Sequence, residues 1–348
     1  MPSPPRPQRT MRTICRVAVR VWLHAAAAVS SVLLCWHPSV AWCQITPDQA
    51  AQIRDTIGHR IEALTIFGGD YGIAAANFRS TGKFSFGEST DATLAVTKLG
   101  GSGDIGNPRP LGGLDVGWQP HVQGNMGWLS STNHLHSPLV EGDSTKIDAF
   151  GIEFGAGVRL WMNERLSTAP TITGLYGHMS ETYTANSPFM QANLGTARQL
   201  GLVDWTVDTW TFIPGVDLQY VIPWDRTIIT LTTNPVFYHT ESFKSSNVHL
   251  NVNGNSETWV NIVDVDVPTG MMLYGHELRT GGYYRWTGLY GGLKTGLAES
   301  HINEIHGRVV LDFLNQLWKV QWIGVGGSYL WGSNITGWTV GLDILFRF

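Results

Sequence analysis

The feature that most constrains this chain is a fifteen-residue alternation from Asp148 to Met162. One parity carries Phe150, Ile152, Phe154, Ala156, Val158, Leu160 and Met162; the other carries Gly151, Glu153, Gly155, Gly157 and Arg159. Successive side chains of a strand point to opposite faces, so one face is apolar and the other polar or bare. The pattern recurs. Val216, Leu218, Tyr220 and Ile222 oppose Asp217 and Gln219, while Ile305, Val309, Leu311 and Phe313 oppose Glu304, His306, Arg308 and Asp312. Ordinary strands run about five or six residues, and a two-sheet sandwich alternates only over short strands with a polar outer face. A strand crossing a bilayer needs about 9–11 tilted residues with its apolar side in lipid. Length therefore predicts an all-β fold, a transmembrane antiparallel β-barrel over residues 71–348.

Composition excludes the main competitors. Only 14% of residues are charged, so the high-charge signature of disorder is absent. No run of 18 apolar residues occurs, which rules out a helical membrane bundle. Acidic residues outnumber basic ones 27 to 23, leaving no basic footprint for nucleic acid.

The first 43 residues read as a secretory signal peptide. Arg6, Arg9, Arg12, Arg16 and Arg20 precede an apolar segment from Ala25 to Trp36, followed by small residues at Ser39 and Ala41. Cleavage after Ala41 and after Cys43 both fit. All three cysteines lie in this segment, so the exported chain is expected to rely on neither disulfides nor thiolate metal sites. Just beyond, over residues 44–70, Thr46, Pro47 and Gln49 form a helix start. Ile53, Ile57, Ile61 and Leu64 give it one narrow apolar stripe, and Gly68-Gly69 ends it. No second helix is expected beyond Tyr71.

Connections alternate in kind. Tight turns are expected near Leu314-Asn315-Gln316, Leu278 to Gly282, Pro223 to Arg226, Met162 to Arg165 and Trp118 to Pro120. Longer polar stretches lie between them at 130–145, 184–199 and 244–257, and glycine-rich Leu99 to Gly113 is expected to be a loop. Bacterial barrels have short periplasmic turns and longer outer loops, and this spacing gives about 12 strands. Trp161, Trp224, Trp286, Trp318 and Trp322 near the tight turns are expected to form an interfacial girdle.

The last eleven residues, Trp338 to Phe348, alternate without a break. Val340, Leu342, Ile344, Phe346 and the terminal Phe348 resemble the C-terminal strand of bacterial outer-membrane β-barrels, in which that aromatic end is read by the barrel-assembly machinery. The helix followed by some 280 residues of barrel resembles an autotransporter translocator, and with nothing between signal and helix the layout is most similar to the solitary, passenger-free autotransporter-like barrels. The resemblance implies an outer-membrane location, contact with outer-membrane lipid, a helix in the lumen at about Pro47 to Ile66, and no secreted passenger.

Chemistry is sparse. Glu153, Arg159, Asp217, Glu304, His306, Arg308 and Asp312 share the polar parity and are expected to form a lumen charge network, either structural or lining a solute path; they could also hold the helix through Arg54, Arg60 and Glu62. The barrel is expected to be non-enzymatic, without cofactor or metal. His134 and His136 are too few for a metal site, and Gly100 to Gly106 lacks the lysine and helix of a phosphate cradle. Two alternatives remain: a passive diffusion channel, and a lipid hydrolase built on His178 and Ser180. That pair, two apart on one strand face, resembles the histidine and serine of some outer-membrane phospholipases. Asn186 and Asn193 are the available third groups.

Overall fold

The computed structural model describes residues 47–67, 73–80, 91–111, 114–135, 140–317 and 320–346. The signal segment, Gly68-Gly69, His136, Trp318 and Phe348 lie outside these, as do the side chains of Leu64 and Phe346. Residues from Ala50 to Phe348 form one compact unit.

Helix α1 (Pro47–Phe67) is followed by strands β1 (Ile73–Ser80), β2 (Asp91–Asp104), β3 (Arg109–Leu111), β4 (Leu114–His134), β5 (Ser144–Trp161) and β6 (Leu166–Thr184). Helix α2 (Pro188–Gln199) precedes β7 (Thr206–Trp224), β8 (Thr227–Ser245), β9 (Asn253–Leu273) and β10 (His276–Gly291). Helix α3 (Gly292–Leu297) leads to β11 (His301–Leu317), β12 (Val320–Trp331) and β13 (Ile335–Phe346). From β4 onward each strand pairs with the next. Strand β13 pairs with β1, β1 with β2, and β2 with β4, so the sheet returns to its start. Of the thirteen strands in the described residues, β3 pairs with β4 alone; the other twelve close the ring. All its pairs are antiparallel. The closing seam is long, running from Asp91 opposite His134 to Asp104 opposite His121.

Side-chain parity follows the sequence alternation. Phe154 is 70% exposed on the outer face, with Ile152, Val216, Leu218, Ile305, Val340 and Leu342 also outward. Glu153, Arg159, Glu304 and Asp312 are buried on the inner face. Only closure lets both hold, because an open sheet in lipid would strand a row of backbone donors and acceptors at each edge.

Several local expectations are corrected. The β7–β8 turn at Asp225-Arg226 and the β5–β6 turn at residues 162–165 fall where expected. Trp118 to Pro120, however, lies inside β4, opposite Leu160, Arg159 and Val158. Leu99 to Asp104 is strand, not loop. The β9–β10 turn is at Tyr274-Gly275, both at positive φ, and not at Leu278 to Gly282. Leu314 to Gln316 belongs to β11. At Gly100, Gly281 and Gly282 the glycine marks close approach and not a turn. A Cβ on Gly281 would lie 2.6 Å from the Val265 carbonyl, and one on Gly100 would lie 2.7 Å from the Asn125 side chain.

The helices α2 and α3 were also not expected. Helix α2 starts at Ser187, whose Oγ accepts from the Met190 N–H, with Pro188 behind it; its sequence is too polar to show a stripe. The tryptophans differ as well. Trp224 is 71% exposed beside its turn, but the Trp161 indole donates to inward Gln119 Oε1 at 2.7 Å, and Trp322 lies beneath the Arg308 guanidinium. Trp286 sits on β10, toward its loop end. The outward tryptophans Trp128, Trp210, Trp259 and Trp338 lie within six residues of the strand ends that bear the long loops. That end carries the aromatic belt.

A charge on the outer face should be costly. Phe154→Arg is expected to destabilise the folded barrel by about 2–4 kcal/mol if it lies near mid-bilayer, with Phe154→Leu nearly neutral, as read by denaturant unfolding in lipid vesicles.

Candidate functional site: the stoppered lumen

Three layers fill the lumen. At the loop end, Ile57, Ile61 and Ala63 of α1 pack with Leu293 of α3 and with Leu94, Leu129, Ile147, Met179, Val207, Leu289 and Ile335, each from a different stave. The narrow stripe thus meets a ring of inward apolar residues near the strand ends. Burying such a stripe stabilises by about 1.5–3 kcal/mol per large side chain.

A buried carboxylate fixes this docking. Glu62 is 1% exposed, and Ser256 Oγ donates to its Oε1 at 2.5 Å while accepting from the Leu293 N–H at 2.9 Å. Room for the carboxylate comes from Gly254 and Gly292, where a Cβ would overlap it. Gly296 likewise lets α3 press against the His59 carbonyl and Ala63. Farther along, the Arg54 guanidinium donates to the Leu200 carbonyl at 3.3 Å, and Arg60 faces the charge of Glu181. Leu200, Glu181 and Ser256, which meet Arg54, Arg60 and Glu62, are groups of the loop end, apart from the seven lumen charges named from the sequence.

Those seven lie beyond the helix stripe, and Glu153, Arg159, Asp217, Glu304 and His306 among them line the cavity of the lumen. Arg159 bonds Asp104 at 2.9 and 3.0 Å and Ser167 at 3.2 Å, and lies 4.0 Å from Asp217. His121 meets the same Asp104 at 2.7 Å. Arg308 grips Asp264 through two parallel bonds of 2.6 and 2.8 Å, the bidentate geometry that suits guanidinium to carboxylate. Arg279 lies 2.7 Å from Asp266 and 3.7 Å from Asp312. Glu304 accepts from the Tyr283 hydroxyl at 2.8 Å and pairs with Arg285 at 3.3 Å. His306 stacks on Tyr283 with centroids 4.6 Å apart, and its two nitrogens meet Ser328 and Asp343. Glu153 accepts from Gln123 at 3.5 Å. Sequence reading missed the acids Asp104, Asp264 and Asp266 and the base Arg279. Asp264 and Asp266 alternate with Val263, Val265 and Val267, so their shared polar parity was visible in the sequence.

Below the helix lies a cavity of about 450 Å³ lined by Gln123, Thr173, Asn234 and Ser328 and by ion-paired groups such as Arg159 and Glu304. Its wall mixes these polar and charged groups with apolar side chains such as Val96, Leu175 and Ile262. Among the described residues, no group of three or more His, Cys, Asp and Glu could hold a metal ion.

The outer loops are clipped separately. Asp143, between β4 and β5, accepts from the Tyr183 hydroxyl at 2.7 Å, from the N–H groups of Asn186 and Ser187 at 2.6 Å each, and from Ser187 Oγ at 2.8 Å. Burial pushes this carboxyl up, but those donors outweigh burial and hold it below its ordinary value. Glu299 does the same for the β12–β13 loop, accepting from the N–H groups of Ser333 and Asn334.

The His178 and Ser180 side chains sit outside the barrel, on the lipid-facing parity of β6. His178 Nδ1 is 2.6 Å from Asp208 Oδ1 on β7, a partner the sequence did not suggest. Asn186 is tied to the Asp143 loop and Asn193 to its own helix.

Two outcomes follow. Gly292→Ala should expel α1, so a cysteine at Ile57, protected in the parent, should react with a water-soluble maleimide. Asp143→Asn should lower stability at neutral pH by about 1–3 kcal/mol. The folded carboxyl titrates below its unfolded value, so its contribution is complete at neutral pH and lost as pH falls through the folded value; denaturation curves of parent and variant should converge in acid.

The architecture has counterparts. The transport unit of the autotransporter AIDA-I from Escherichia coli is similar over 87% of this chain and all of its own, at 12% identity and a TM-score of 0.50. The translocator domain of NalP from Neisseria meningitidis (12% identity, TM-score 0.47, covering 87% of this chain and 99% of its own) and the β domain of the Bordetella autotransporter BrkA (13%, 0.45, covering 79% and 99%) are also similar. No curated protein matches the chain. Autotransporter β-barrel homologues are bacterial outer-membrane proteins. The family model of the solitary outer membrane autotransporter β-barrel domain matches residues 110–344, and with the closed ring behind it, the chain belongs to that family.

Proposed function

We propose that this barrel works as a stoppered compartment of the outer membrane, with α1 as its stopper. The observation that carries this reading is the seating of Glu62 on Gly254, Ser256 and Gly292, over a cavity whose lining includes charged groups such as Arg159, Asp217 and Glu304. Export by the N-terminal signal, recognition of Val340, Leu342, Ile344, Phe346 and Phe348 by the assembly machinery, and lipid as the solvent of the outer face belong to the same proposal. The lumen groups have a structural and not a catalytic role: each of the lumen acids named above meets a base, a hydroxyl or, for Glu153, the Gln123 amide.

A diffusion channel is the second reading, favoured by the charged groups that line the cavity, and it requires α1 to leave. In planar bilayers the parent chain should be silent at moderate voltage, and full-length Gly292→Ala should show discrete conductance. A parent that conducts as well as the variant overturns the stopper; so does a variant that stays silent while its Ile57 position is exposed to solvent.

A further inference from the structure

We propose that the outer wall carries a serine-hydrolase site in which Ser180 is the nucleophile, His178 its base and Asp208 the positioning acid, acting on the acyl ester of an anionic membrane lipid. The fold supplies what the sequence lacked. Asp208 stands directly opposite His178 in the β6–β7 register, and its carboxylate holds Nδ1 at 2.6 Å. The Tyr176 hydroxyl donates to the same oxygen at 3.1 Å and so fixes the carboxylate. With Nδ1 engaged, Nε2 is the nitrogen left for proton transfer. The His178 side chain is 46% exposed, so an outside substrate can approach it. Ser180 lies two residues on along the same face, roughly 6.5 Å by strand rise; its Oγ turns toward β5 while His178 turns to Asp208 on β7, so a change of the Ser180 rotamer must bring the hydroxyl to the imidazole. Its Oγ is held only by a long 3.5 Å bond to the Asp148 carbonyl.

The height on the barrel selects the substrate. On the membrane side of these residues the outer face is apolar and aromatic, with Ile172, Trp210 and Phe212 exposed. On the other side lie Lys146, 2.8 Å from Asp148, and Lys244, opposite Asp208 in register. An ester at this level has its acyl chain against the aromatic wall and its headgroup beside two ammonium groups, which favours an anionic headgroup. In the reaction, Ser180 Oγ bonds to the acyl carbon as its proton passes to His178. The ester C–O bond then breaks, and the leaving alkoxide takes that proton. Water, deprotonated by His178, next attacks the acyl-serine, releasing the fatty acid and restoring the serine. No other reactant is needed.

The experiment uses the full chain in phosphatidylethanolamine/phosphatidylglycerol vesicles with labelled acyl chains, and a second arm with lipopolysaccharide, each scored by free fatty acid. Release in either arm is expected, and the arm identifies the lipid. Ser180→Ala and His178→Asn should each lower release by at least about 100-fold, with heat-modifiable gel migration unchanged. Asp208→Asn should lower the rate and move the acid limb of the pH–rate profile, which a merely structural loss would leave in place. A fluorophosphonate probe should label the parent at Ser180 without any variant being made. No release from the parent in both arms, labelling that is absent or elsewhere, or release unchanged in Ser180→Ala each overturns the proposal.

Discussion

Closure of the hydrogen-bonded sheet is the constraint on which the rest depends. In hydrocarbon an unmet backbone donor or acceptor costs several kcal/mol, so a strand such as β5 can face lipid only if both of its edges are paired. The β2–β4 seam and the short β1–β13 seam provide the last two pairings. Once the ring is complete, parity becomes inside against outside, and every inner residue must find its partner in the lumen.

The lumen meets that demand with different chemistry at its two ends. Near the loops, apolar side chains from many staves converge on one helix stripe, and a buried carboxylate fixes the register of the docking. Near the turns, guanidinium groups bridge carboxylates on neighbouring strands, as Arg279 does between Asp266 and Asp312. Losing one partner of such a pair leaves a buried charge uncompensated, at a cost of about 3–5 kcal/mol. The glycines serve both ends. They give up side chains where a carboxylate or a neighbouring backbone needs the space, and for that reason they are poor guides to turns here.

Legibility followed periodicity. Long alternations such as Asp148 to Met162 showed strand, length and facing at once, because lipid outside and polar groups inside enforce period two without exception. The capping residues and stripe of α1 were equally readable. Gly281-Gly282 and Gly100 misled, since a glycine beside a neighbouring backbone looks the same in sequence as a glycine in a turn. Helix α2 was hidden by its polarity, although Ser187-Pro188 was a visible start signal. Trp161 and Trp322 read as girdle residues but face inward; Trp161 shares the parity of Glu153 and Arg159, so its facing was already in the alternation. At the candidate site the lumen charges could be named one strand at a time, but not their partners.

The sequence by itself determined the class of fold, the apolar and polar faces of its staves and the presence of a helix ahead of them, because these are properties of local period and composition. Only the tertiary structure decided which staves adjoin, that the seam closes through β2 and β4, that Glu62 sits on two glycines some two hundred residues away, and that Asp208 stands beside His178. Those are pairings between distant segments, set by strand register and ring closure, and no local pattern encodes them.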